Sequence, residues 1–208
     1  MTMPSRKNAT IAAKRVSRDL STGNMITQKL ENQQTQPRAP GQISVTHFKQ
    51  MREGFCGPAA LKTLFSYFGK SFNEDQLAVL GYTTRDDGTE HEGLVQAAKE
   101  VGGFVFTKNN GTMEELEYFI KEEKLPVIVG WFDEDGDHYC VVVNITDKNI
   151  ILVDPDNTKQ PERWLSREVF PRVWFDFVGP ENKIVSWGWY MVVTFEKKKF
   201  KVKGGYYY

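Results

Sequence analysis

Two cysteines in 208 residues leave no disulfide framework to read. No apolar stretch approaches the ~20 residues needed to cross a bilayer, and the N-terminus has no apolar signal-peptide core. A reducing, cytoplasmic compartment is the simplest setting for such a chain. The 27 basic and 27 acidic side chains cancel, which removes the bulk electrostatic argument for a nucleic-acid partner. Histidine is scarce: three in all, at His47, His91 and His138. Any chemistry that needs an imidazole base therefore has few candidates. Aromatic residues are absent from 1–42 yet make up 13% of the whole chain.

That uneven distribution sets the domain boundaries. Residues 1–42 carry seven Lys/Arg and two Asp/Glu, a net of +5, and end in a Gln/Asn/Pro-rich stretch. They bury too little apolar surface to offset the entropy of ordering, so they read as a disordered basic tail. Residues 43–196 hold enough hydrophobic and aromatic side chains for one core. Residues 197–208, lysine-rich and ending in three tyrosines, read as a basic tail with a frayed, solvated end.

Within the central domain the periodicities separate. Leu61, Leu64, Phe65 and Phe68 recur at three- and four-residue spacing and predict a helix over 57–68. A second, capped by Asn73, is expected over 73–80, and a third over 89–101 before Gly102-Gly103. Thr112 and Glu115 form a capping box that opens a fourth helix to residue 123. Strands are predicted at 126–131, from His138, from Ile150, and over 184–195, with Ser166 capping a short helix that ends at Phe170. Gly69-Lys70-Ser71 resembles the end of a phosphate loop, but Leu64 stands where that loop needs glycine. Gly69 reads as a helix C-cap instead. Helices first and an antiparallel sheet afterwards give an α+β class.

The chemistry centres on Cys56. It opens the run Cys56-Gly57-Pro58-Ala59-Ala60-Leu61, at the expected start of the first helix. Unpaired backbone N–H groups there favour the thiolate. Gln50, six residues upstream, can bring an amide N–H to the same place. Downstream, His138 opens one strand and Asp154-Pro155 closes the next. A turn at Asp147-Lys148-Asn149 would set the start of the first beside the end of the second. An imidazole held by a carboxylate and facing a thiol is the arrangement nucleophilic catalysis requires.

In that order, Gln50, Cys56-Gly57-Pro58, His138-Tyr139 and Asp154-Pro155 resemble the papain-like cysteine peptidases that remove double-glycine leaders from bacteriocin-type precursors, and their stand-alone relatives. The resemblance covers roughly residues 44–178 and includes Tyr67-Phe68-Gly69-Lys70 and Leu125-Pro126-Val127-Ile128-Val129. It implies a papain-like fold, with a nucleophile helix packed on a small antiparallel sheet. It also implies Cys56 as nucleophile, His138 as general base and acid, Asp154 as orienter and Gln50 as oxyanion donor. No metal or organic cofactor is implied, and the partner is a peptide or protein substrate. Leader peptidases are often fused to membrane spans and a transport ATPase; neither is expected here.

Other readings stand beside this one. The same constellation serves amidases, isopeptidases and transglutaminase-like enzymes, and a peptidase fold can persist as a catalytically silent peptide-binding module. A Cys56–Cys140 disulfide would inactivate the nucleophile. Cys56, His138, Cys140 and Asp154 could be imagined as metal ligands, but they lack close Cys-x-x-Cys pairing, and Cys140 is expected in the core. The acidic run Asp133-Glu134-Asp135-Gly136-Asp137 reads as a solvated turn that would raise the pKa of His138. His91 is expected to be exposed and His47 to precede the fold. Gly204-Gly205 carries the double-glycine pattern itself, so self-cleavage there is a further conceivable reading.

Overall fold

The computed structural model describes residues 40–134, 136–157, 159–179 and 183–208. The basic N-terminal tail expected over 1–42 lies almost wholly outside the described residues.

The first helix, α1 (Cys56–Tyr67), begins at the cysteine. Its apolar stripe behaves as the spacing predicts: Leu61, Leu64 and Phe65 are fully buried, each contributing roughly 1.5–3 kcal/mol of transfer free energy. The C-cap is Phe68; Gly69, expected in that place, follows it in the left-handed conformation, and its N–H donates to Ser66 O to close the helix. Two further helices pack against α1. These are α2 (Glu74–Leu80), capped by the Asn73 side chain, and α3 (His91–Glu100). The capping box at Thr112 forms as expected and starts α4 (Met113–Glu117). Its continuation, Tyr118–Glu123, is wound more widely than an α-helix.

The sheet is antiparallel and has seven strands. In chain order they are β1 (Phe104–Lys108), β2 (Val127–Asp133), β3 (Gly136–Ile145), β4 (Asn149–Val153), β5 (Glu162–Ser166), β8 (Tyr190–Thr194) and β9 (Tyr206–Tyr207); across the sheet the order is β5-β4-β3-β2-β8-β1-β9. A short helix, α5 (Phe170–Val173), leads to a separate hairpin of β6 (Phe175–Val178) and β7 (Ile184–Trp187). The α+β class expected from the sequence is the class the chain adopts.

Three expectations change. Ser166 ends a strand rather than capping a helix: its Oγ accepts the Glu168 N–H, a local turn, and the helix starts only at Phe170. The single strand expected over 184–195 is two strands in two sheets. Gly188, at φ +58°, turns the chain between them, a conformation that favours glycine. The C-terminal end is not frayed. Tyr206 and Tyr207 pair with Thr107 and Phe106 of β1, and the Phe200 ring packs on Phe106 and Phe119. The double glycine has a packing role there, because a Cβ on Gly205 would sit 2.2 Å from the Phe106 ring and 2.8 Å from Thr107 O.

β3 carries a one-residue bulge. Val141 and Val142 pair with Val153 and Leu152, but the next pairs are Asn144 with Ile151 and Ile145 with Ile150, so Val143 is extra. Its carbonyl accepts a hydrogen bond of 2.9 Å from the Ile43 N–H, on the segment that leads into α1.

Replacing Gly205 with valine forces the close Phe106 contact apart and should cost about 1–3 kcal/mol. Urea unfolding monitored by tryptophan fluorescence measures this; an unchanged midpoint would mean that the C-terminal segment contributes nothing to the folded domain.

Candidate active site

Cys56 is the first residue of α1 and is 9% exposed. α2 and α4 cap their first turns with a side chain and place acids there; α1 has neither a side-chain cap nor an acidic residue in its first turn. The positive end of its backbone dipoles is thus left to the thiol.

His138 and Asp154 meet as the sequence suggests. Nε2 of His138 donates to Asp154 Oδ1 at 2.8 Å, with Asp154 only 2% exposed. The bulge at Val143 makes the meeting possible. Side chains of cross-strand partners share a face, and residues two apart along a strand share a face. With Val141 opposite Val153, residue 140 stands opposite 154, so His138, Cys140 and Asp154 share one face. Continuing the Asn144–Ile151 register without the bulge would set 141 opposite 154 and put Asp154 on the face away from His138.

The imidazole is hydrogen-bonded to Asp154, and the thiols of Cys56 and Cys140 stand close enough to act on it. Burial alone would push its pKa down; the Cys140 and Cys56 contacts and the Asp154 hydrogen bond outweigh that and hold it well above the usual histidine value. These contacts are the leading causes, and the described residues of the acidic turn at 133–137 are not among them. For Asp154, burial works to raise the carboxyl. The His138 hydrogen bond and charge, the Asp156 N–H and the Arg163 charge together hold it below the usual range.

Gln50 approaches from the incoming segment. Its backbone N–H donates to Pro155 O at 2.8 Å, next to Asp154, while its side-chain Oε1 is buried without a hydrogen-bond partner. Cys140 is fully buried, accepts the Trp131 indole N–H at 3.3 Å, and is a free thiol, as is Cys56. Ligand atoms of His138, Cys140 and Asp154 lie within 4.8 Å of one another. Each already has a hydrogen-bond partner, so the trio reads as a polar network.

The sequence reading missed several members of this network. Arg163 on β5 reaches Asp154 Oδ2 at 3.2 Å, pairs with Asp133 and lies over the Trp131 ring. A lone arginine in a stretch not recognised as a strand gave no signal. His47, expected to precede the fold, bonds through Nε2 to the Asp154 carbonyl at 2.8 Å. His91, expected to be exposed, is 7% exposed, bonded to Asp176 Oδ2 at 2.6 Å and stacked on Trp189. Trp131 packs edge-on against His138, at 6.4 Å between ring centroids. A cavity of about 400 Å³ between Trp174 and Trp187 contains none of the four predicted site residues.

Residues 44–178 match the peptidase C39 family. The chain belongs to that family. It is 32% identical over 127 residues to the pediocin PA-1 transport/processing ATP-binding protein PedD of Pediococcus acidilactici; the match takes in 60% of this chain but 17% of that protein. It is also 32% identical over 124 residues to an uncharacterized protein of Methanothermobacter thermautotrophicus, covering 60% of this chain and 79% of the relative. Among solved structures, the peptidase domain of Streptococcus ComA superposes with a TM-score of 0.57 at 22% identity, over 73% of this chain and 97% of that domain. The double-glycine motif protease of an AMS/PCAT transporter, in complex with the leader peptide, gives 0.54 at 22%, over 77% and 98%. A C39-like peptidase from Bacillus anthracis gives 0.55 at 16%, over 74% and 96%. The fold is the papain-like one of these peptidase domains, as the motif resemblance implied. Among the described residues, no helix is long and apolar enough to cross a membrane.

The His138–Asp154 pair should mark the pH dependence of stability. The raised imidazole contributes stability that is complete below the unfolded histidine value and is lost as pH rises through its folded value; the lowered carboxyl contributes stability that is complete above about 4 and is lost as pH falls through its folded value. Thermal melts of the wild type and Asp154→Asn across pH 3–9 should therefore differ most between those limits and converge at both ends. A constant difference across that range would separate the pair from the pH dependence.

Proposed function

We propose that the chain is a cysteine peptidase that hydrolyses a peptide bond in a precursor or leader-type substrate. The carrying observation is the placement of His138 between the Asp154 carboxylate and the Cys56 thiol. Membership of the peptidase C39 family supports the reaction class. The leader peptide bound to the AMS/PCAT protease and the processing role named for PedD favour this substrate class.

The reaction follows from the residues. Cys56 thiolate attacks the scissile carbonyl and forms a C–S bond, while the carbonyl electrons move to oxygen. The side-chain amide of Gln50 and the Cys56 backbone N–H hold that oxyanion. Nε2 of His138 is committed to Asp154, so Nδ1 is left to exchange protons with the thiol and the leaving group. Protonated His138 gives its proton to the amine as the C–N bond breaks, leaving a thioester. His138 then takes a proton from water, hydroxide adds to the thioester, and collapse releases the carboxylic acid and the thiolate. Asp154 keeps the imidazole in the required tautomer and stabilises its charged form.

Incubation with a peptide library, with products read by mass spectrometry, tests this. Wild-type protein should release a free acid and a free amine. Cys56→Ala should lose turnover while keeping its melting temperature, and Gln50→Ala should lose about 10²–10³-fold in kcat. Undiminished turnover in Cys56→Ala would sink the mechanism, and products formed by amine exchange would assign the site to transamidation.

A further inference from the structure

Glu74 is a buried carboxyl that the mechanism above does not use. It is the first residue of α2 and only 1% exposed. Its Oε1 accepts the backbone N–H of Met51 at 2.7 Å, and its Oε2 is buried with no hydrogen-bond partner. Burial pushes its carboxyl up, against the pull of the Met51 N–H and of Lys62. Burying a carboxyl with one oxygen unsatisfied works against stability. An apolar side chain would fill the same space without that cost. What it would not supply is an acceptor for Met51.

Met51 follows Gln50, and the surrounding contacts all fix the loop that joins Gln50 to Cys56. On one side Gln50 N–H is held by Pro155 O. On the other, Arg52 pairs with Asp75 of α2 at 2.7 Å, and Phe55 N–H closes a turn onto Arg52 O. The Arg52 pair is half-exposed and so contributes little. The Met51–Glu74 bond is the contact of this group made to a buried side chain, and it adjoins the residue whose amide must face the oxyanion.

We propose that Glu74 is a positioning residue for the oxyanion loop, holding Gln50 in its productive place through the Met51 N–H. This rests on the peptidase reading and deepens it. Glu74 touches neither Cys56 nor His138 in this scheme and acts only through the loop. Its removal should therefore lower kcat while sparing both KM and the reactivity of the thiol.

The test uses the full chain with Glu74→Leu, Glu74→Asp and Glu74→Gln. Glutamine keeps an acceptor at the same reach; leucine removes it and aspartate withdraws it. The leucine and aspartate variants should lose about 10–100-fold in kcat, within the range for an impaired oxyanion donor. KM and the rate of Cys56 alkylation by iodoacetamide should stay near wild type, and glutamine should restore most of the loss. In a Gln50→Ala background the leucine change should have almost no further effect, because both changes act on one donor. Wild-type kcat in a folded leucine or aspartate variant, a glutamine variant as impaired as leucine, or additive losses with Gln50→Ala would each overturn the proposal. Should leucine prevent folding, the aspartate variant carries the test. Amide exchange at Met51 reads the bond without turnover: it should be slow in the wild type and faster with leucine, and equal rates would overturn the clamp. A wild-type protein that hydrolyses nothing would instead count against the peptidase reading.

Discussion

The one-residue bulge at Val143 is the constraint on which the site depends. Strand side chains alternate with a period of two, so a register error of one residue reverses which face every later side chain occupies. His138 lies on one side of the bulge, together with the pairs to Val153 and Leu152; the turn that fixes the hairpin lies on the other, at Thr146 to Asn149. A hairpin that ran regularly from that turn would send the imidazole and Asp154 to opposite faces. The bulge corrects the phase by inserting one residue. Its cost is an unpaired ladder position, and Ile43 N–H satisfies the freed carbonyl. Pairing of β3 with β4 thus recruits the segment that precedes α1.

That segment is attached along β3 and β4 by two backbone N–H groups and one imidazole. Ile43 bonds to the bulge, His47 to the Asp154 carbonyl, and Gln50 to Pro155 O. The same stretch that satisfies the bulge therefore delivers Gln50 beside the carboxylate and then feeds into the helix that begins with Cys56. Four residues spread over more than a hundred positions are brought to one end of the sheet mostly by main-chain hydrogen bonds. Such main-chain bonds are indifferent to side-chain identity, and the His47 imidazole is the side-chain addition to them.

The sequence was most legible where chemistry and local pattern coincide. The helix starting at Cys56, the Asn73 cap, the Thr112 capping box and the hairpin that joins His138 to Asp154 each follow from signals close together in the chain. What it concealed is long-range. β5 alternates weakly, and its Arg163 acquires meaning only once β4 lies between it and β3. β1 and β9 are short, and β9 exists because Phe200 and Gly205 dock on Phe106 from a hundred residues away. The lysine-rich composition before it pointed to a solvated end, and tertiary packing overrode that. The bulge itself has no sequence signature: Val141-Val142-Val143 reads as an unbroken ladder.

The described residues contain two His–Asp pairs, one buried and one part-buried, and their surroundings differ. His91 and Asp176 are closer, at 2.6 Å, than His138 and Asp154. His91 is stacked face-on with Trp189 and bordered by Tyr139, while one Asp176 oxygen is left without a partner. Packed that way, the ring joins α3 to the β6–β7 hairpin. His138 is hydrogen-bonded through Nε2 to a carboxylate that Asp156 and Arg163 also stabilise, with the Cys56 and Cys140 thiols and the edge of Trp131 around the rest of the ring. In the mechanism proposed for this site, the His138 ring, fixed by the carboxylate and facing the Cys56 thiol, moves the proton between thiol and leaving group. The His91 ring is instead packed between a carboxylate and an indole face. The distinction lies in the third neighbour, and it is set by the register at Val143 and by the start of α1.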